Sequence, residues 1–215
     1  LNFPEIQLQA QSIALQFLPE FAHLGKGLKL LFPDTGAAAL ARRDWGKTIY
    51  QVTDLGSSRS PVEEKINPED QLFLVINPSS IEVTQVENLC IQAGKRPVIL
   101  LIPRLEDITT IGIGYAGRQQ RERFLNKLES CYYIKPLEGA IVFRCYPQPW
   151  QIWLEENGEY QLITELTQKP LGDQVEQILA KAINPENSSS PSSGEKPAKK
   201  GFLNELQSMW RALTR

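Results

Sequence analysis

Two near-continuous apolar runs, Leu-Phe-Leu-Val-Ile at 72–76 and Val-Ile-Leu-Leu-Ile at 98–102, constrain the fold more than anything else in the chain. A strand with one wet face alternates in polarity, whereas a run without alternation is what burial on both faces demands. Sheets covered on both faces are built largely from parallel strands, which need crossovers. Between the two runs, residues 81–93 supply one, a helical pattern that ends at Gly94. A third apolar run, 28–32, is closed by Pro33-Asp34 and followed by an alanine-rich helical stretch, 36–45, with Asp34 or Thr35 as its N-cap. A strand at 48–55 and a polar loop at 56–69 complete the order. It predicts an α/β fold with a mainly parallel sheet flanked by helices, Rossmann-like in character. Upstream, residues 1–5 read as the end of a strand and 6–17 as a helix. Phe3-Pro4-Glu5 thus repeats the strand-to-helix junction Phe32-Pro33-Asp34.

After a glycine-bearing turn, an arginine-rich helix is expected from about Tyr115 to Ser130. The texture then changes. Segments 132–137, 140–146, 150–155 and 160–166, separated by Glu138-Gly139, Pro147 with Pro149, and Asn157-Gly158, predict an antiparallel meander. Gly172-Asp173 opens a helix with Val175, Ile178, Leu179 and Ala182 as its docking face. Residues 1–183 therefore read as one α/β domain and 184–200, rich in Ser and Pro, as a linker. Residues 201–215 read as a short amphipathic helix. Phe202, Leu203, Leu206, Met209, Trp210 and Leu213 form its apolar stripe, which suits a membrane surface or a partner, or else packs back on its own domain.

Charge is unevenly placed. The chain carries -2 overall, yet Lys196, Lys199, Lys200, Arg211 and Arg215 against Glu195 and Glu205 make the C-terminal stretch basic and leave the body mildly acidic. That balance argues against nucleic-acid binding and fits a tail that meets anionic lipid or an acidic partner. Cys90, Cys131 and Cys145 are odd in number and lack a C-x-x-C spacing, so neither a disulfide framework nor a zinc site is expected. No apolar run approaches about 18–20 residues and no signal-peptide pattern is present, which predicts a soluble body. Leu1 in place of methionine reads as a fragment or an unusual start.

The motifs divide between capping and binding. Gly112-x-Gly114-x-x-Gly117, with Glu138 about 20 residues on, fits the dinucleotide-binding glycine pattern, but it does not follow the first strand directly, and a turn accounts for it better. Asp34-Thr35-Gly36-Ala37 spells the loop of an aspartic protease. A helix follows it rather than a strand, so capping suffices. His23 is the only histidine, which nearly excludes histidine triads. On a helical wheel Phe124, Leu125 and Leu128 share a face with Arg121 in its middle and Arg118 beside it. A guanidinium aimed inward needs a carboxylate or a bound anion. Two arrangements supply one. In the first, Arg118 and Arg121 join Asp34, Asn77, Arg104, Gly112 and Gly114 beyond the carboxyl ends of the strands in a site for a phosphate or carboxylate. In the second they pair internally with Asp34, Asp44, Glu106 or Asp107. No catalytic residue, cofactor or metal is assigned.

Several stretches together resemble a known family. They are Phe32-Pro33-Asp34-x-Gly36, Ala39-Leu40-Ala41-x-Arg43-Asp44-Trp45, Asn77-Pro78, Arg96-Pro97-Val98-Ile99, Leu105-Glu106-Asp107, Gly112-x-Gly114-Tyr115, Arg118-Gln119, Arg121-Glu122-Arg123-Phe124 and Tyr146-Pro147-x-Pro149-Trp150. The family is an uncharacterised domain of cyanobacteria and plastids, and the likeness spans most of residues 1–183. It includes a plant photosystem II accumulation factor and domains fused to a plastid adenylate kinase. The resemblance implies a non-catalytic role in photosystem assembly at the thylakoid surface, with assembly proteins or subunits as partners. It implies a cytoplasmic location peripheral to that membrane, or the stromal face in plastid relatives. It also implies that this chain is clipped before Phe3.

Overall fold

The computed structural model describes residues 4–57, 59–105 and 115–183. The chain divides into two compact units, residues 1–128 and 129–215.

In the first unit, helix α1 (Pro4–Phe17) and a 3-10 stretch (Leu18–Gly27) lead into β1 (Leu28–Phe32). Pro4 and Glu5 begin a helix rather than end a strand; proline is well placed there, where its missing N–H costs nothing. Next come α2 (Thr35–Trp45), β2 (Gln51–Asp54), β3 (Leu72–Ile76), α3 (Val83–Ala93), β4 (Val98–Leu101) and α4 (Tyr115–Arg123). The four strands form one parallel sheet in the order β2-β1-β3-β4. Both central strands are buried along their whole length, as unalternating runs require.

The two faces of the sheet have separate cores. Leu28, Leu30 and Phe32 of β1 with Leu72, Leu74 and Ile76 of β3 meet Ala10 and Ala14 of α1 and Ala38 and Ala41 of α2. Alanine at those positions lets both helices lie close on the strands. On the other face, Leu31, Phe73 and Val75 meet Val83, Val86 and Leu89 of α3, together with Phe124 and Leu125. The loop at 56–69 is less polar in effect than its composition suggests, because a 3-10 turn (Val62–Lys65) buries Val62 in this second core.

Helix α4 stops at Arg123, seven residues before the expected Ser130. Phe124 leaves helical geometry (φ -128°, ψ -64°), and a 3-10 turn (Leu125–Lys127) follows. The break lets Phe124 and Leu125 both enter the core.

The second unit is an antiparallel meander of β5 (Tyr132–Leu137), β6 (Ala140–Cys145), β7 (Trp150–Glu156) and β8 (Glu159–Leu166), closed by α5 (Gly172–Ile183). Asn157 and Gly158 both adopt positive φ, the requirement of a two-residue hairpin. Pro147 and Pro149 fall in the β6–β7 connection. Val175, Ile178 and Leu179 of α5 pack on Val142, Trp150 and Ile152, so one face of the sheet is covered. The 184–200 linker and the 201–215 helix lie outside the described residues.

Candidate functional site

The strand order places a topological switch point between β1 and β3. The chain leaves β1 for β2 on one side and leaves β3 for β4 on the other, so the loops beyond their carboxyl ends diverge and open a crevice. A cleft of about 350 Å³ occupies it. Ala10, Phe32, Pro33, Ala37 and Ile76 give it an apolar lining, and Gln11, Asp34, Asn77, Ser79, Glu82 and Arg104 a polar one, called the rim below. By contrast, the cavity of the second unit, beside Tyr133, Trp150 and Lys169, holds only about 40 Å³, room for little more than a water molecule or two.

Backbone geometry sharpens the rim. Asn77 and Ile102, each just past the end of a neighbouring strand, have φ of 53° and 54°. Asparagine tolerates this left-handed region; β-branched isoleucine does so at a cost of roughly 1–3 kcal/mol. The two chains stay in register through the kinks, for the Asn77 amide donates to the Leu101 carbonyl (2.8 Å) and the Arg104 amide to that of Pro78 (2.8 Å). Ser79 and Arg104 then form a further parallel bridge. The turn at Asn77 thereby brings Ser79, Glu82 and Arg104 to the cleft.

Both rim carboxylates are already engaged. Asp34 caps α2, accepting from the Ala37 amide at 2.9 Å. Glu82 accepts from the Ser79 amide (2.8 Å) and hydroxyl (2.7 Å) in a capping box. The rim thus presents two carboxylates to one guanidinium, and the amino end of α2 is neutralised by its own cap. A polyphosphate finds little attraction in such a lining. A neutral or zwitterionic polar group suits it better.

Of the residues singled out from sequence, Asp34, Asn77 and Arg104 converge here. Gly112 and Gly114 lie outside the described residues, as do Glu106 and Asp107. Arg118 is exposed and Arg121 half-buried on α4, and neither lines the cleft. Asp44 pairs with Arg43 instead. Arg123, also on α4, does hold a carboxylate among the described residues: its Nε and Nη2 donate to Glu87 of α3 at 2.7 and 2.8 Å. That bidentate bond raises the Arg123 pKa. Glu87 could have been found: it stands one turn after Val83, beside Val86 in the buried stripe of α3.

A second polar constellation starts from the one charged residue of the 28–32 run. Lys29 of β1 is buried and pairs with buried Asp70 at 2.7 Å, and its ammonium also donates to the Lys65 carbonyl. Asp70 further accepts from the Gln51 side chain (3.1 Å) and the Asn67 amide (2.8 Å). Lys65 in turn pairs with Asp54. Burial pushes the Asp54 carboxyl up, but the Lys65 ammonium, the Gly56 amide and the Thr35 hydroxyl outweigh it and hold the pKa below the usual carboxylate range. This network anchors the 56–71 loop to the sheet. Among the described residues no group of acids, cysteines or histidine is arranged to hold a metal ion, and no helix is long and apolar enough to cross a membrane.

The profile of a family described as a domain of unknown function, DUF1995, matches residues 1–177. No solved structure matches the chain.

Proposed function

We propose, because this chain belongs to the DUF1995 family, a non-catalytic auxiliary role in the biogenesis of photosynthetic complexes, photosystem II foremost, exercised by binding at the thylakoid surface. The observation that carries this reading is where the residues of the resemblance fall. Trp45 packs on Phe32 at 5.6 Å between ring centroids, Arg96 lies over Phe73 at 5.0 Å, and Arg123 grips Glu87. These hold the fold. Pro33, Asp34 and Asn77 instead edge the cleft beside Arg104. A rim whose carboxylates serve as helix caps is a recognition surface rather than an acid–base pair. It suits a polar loop or terminus of an assembly protein or subunit.

Affinity purification of the full chain from a photosynthetic host tests the proposal. Assembly intermediates are expected with the native chain and fewer with Asp34→Ala or Asn77→Ala; recovery of no photosystem component at all rejects it. Contact with the membrane is proposed through Phe202, Leu203, Leu206, Met209, Trp210 and Leu213. Flotation with anionic liposomes should be stronger for the full chain than for protein ending at Pro191.

One observation favours a second reading, a small-ligand-binding protein. A strained backbone at a switch-point cleft is a frequent mark of ligand sites. Calorimetry with phosphate-bearing metabolites and with zwitterionic ones separates the classes. Heat from the former that Arg118→Ala and Arg121→Ala abolish restores the anion site on α4.

A further inference from the structure

The meander has an apolar face that its own helix does not cover. Register partners share a face, and the pairs Ile134↔Phe143, Ile141↔Trp153 and Trp153↔Leu162 all stand opposite α5. Tyr132 meets Phe143 edge-on at 5.8 Å and is 67% exposed; Ile134 is 53% and Leu162 44% exposed. The acidic members of this face are Glu155 and Glu165, across from Tyr160 and Gln151. The strands' two basic residues beside the covered core, Lys135 and Arg144, pair with Val142 and Tyr133 on the opposite face. A contiguous apolar sheet face with an acidic margin is a binding surface.

The chain itself holds a segment of the matching chemistry. Phe202, Leu203, Leu206, Met209, Trp210 and Leu213 recur at helical spacing, with Lys199, Lys200, Arg211 and Arg215 against Glu205 around them. Helix α5 ends at Ile183. Seventeen residues, 184–200, intervene, and a chain of that length reaches at most roughly 56 Å, enough to round a sheet packed about 10 Å from its neighbouring layer. A tether of that length holds its end at an effective concentration on the order of 1 mM, so weak docking suffices.

We infer that the outer face of the meander is the seat of the chain's own C-terminal segment, residues 202–213, with its apolar stripe over Ile134, Phe143 and Trp153 and with Arg211 and the flanking Lys199, Lys200 and Arg215 near Glu155 and Glu165. The segment then has two seats, this face and the lipid surface proposed above, and the first keeps it out of water when the second is absent. The inference rests on the sheet face and the tail pattern, and it stands or falls separately from the assembly role.

The test uses the full chain with Cys131→Ser, Cys145→Ser and Ile134→Cys, which puts one reactive thiol on the face, on its edge strand β5 opposite Phe143. Burial and the Glu87 charge push Cys90 up to about 11, so it stays silent at neutral pH. Maleimide labelling at position 134 is compared with that of the same chain carrying Leu206→Asp and Trp210→Asp. The intact tail is expected to slow labelling about five-fold, independently of protein concentration. Equal rates overturn the inference. So does protection that grows with protein concentration, which would give the face to a second copy.

Discussion

A single lysine decides much of the first unit's stability. Lys29 is the second residue of a buried strand, its ammonium held by Asp70 and a carbonyl. Removing one member of a buried pair leaves a charge with no compensation, which costs roughly 3–5 kcal/mol. Asp70→Ala should therefore lower the urea unfolding free energy by about that amount. Lys29→Met added to it should recover part of the loss, whereas a fully additive double variant would show that the two charges do not interact. Asp54 acts with the opposite economy of pH. Its folded pKa lies below the unfolded one, so the stability it contributes is fully present above the ordinary carboxylate pKa, near 4, and is lost as pH falls through the folded value. Urea midpoints measured from neutral pH down to about 3 should fall less steeply for Asp54→Asn than for the native chain.

At the scale of elements, α4 is tied to α3 by the pair between Arg123 and Glu87, and Phe124 and Leu125 just after it enter the core. Glu87→Ala removes the carboxylate that Arg123 holds in two-point contact. Amide exchange in residues 115–127 should accelerate while that of β1 and β3 stays unchanged; equal acceleration everywhere would mean that the pair supports the whole unit instead. This element also marks where sequence reading stops. A wheel extended to Ser130 carries the helix past its end, for Phe124 turns out of helical geometry, and it gives no sign of the pair that Arg123 makes with Glu87. Periodicity reports the phase of a helix and is blind to its end when no proline or glycine marks it. The parallel strands and the hairpins were legible because burial on two faces and Asn-Gly turns leave direct traces in composition. Asp34, Asn77 and Arg104 were legible because each follows an apolar run. Ser79 and Glu82 were not, since they reach the rim only through the left-handed turn at Asn77. Lys29 was missed inside its run because nothing local names Asp70 as its partner.

Each of the two units, taken as a whole, has its own core, and their connectivities differ in kind. In the meander every strand pairs with its neighbour in the chain, closing loops of a few residues. In the first unit β1 pairs with β3, matching Leu28 to Leu72 across the intervening β2. Loop closure makes the second pairing slower. Pulse-labelled hydrogen exchange during refolding should find amides of β6 and β7 protected before those of β1 and β3, and simultaneous protection would show that the units fold as one. During synthesis the consequence is sharper. Translation at about 5–20 residues per second separates the emergence of Phe32 from that of Ile76 by roughly 2–9 seconds. For that interval the nascent ribbon of β1 can find β2 along one edge but has nothing along the other, and whatever shields that open edge at the ribosome exit governs the yield of folded protein.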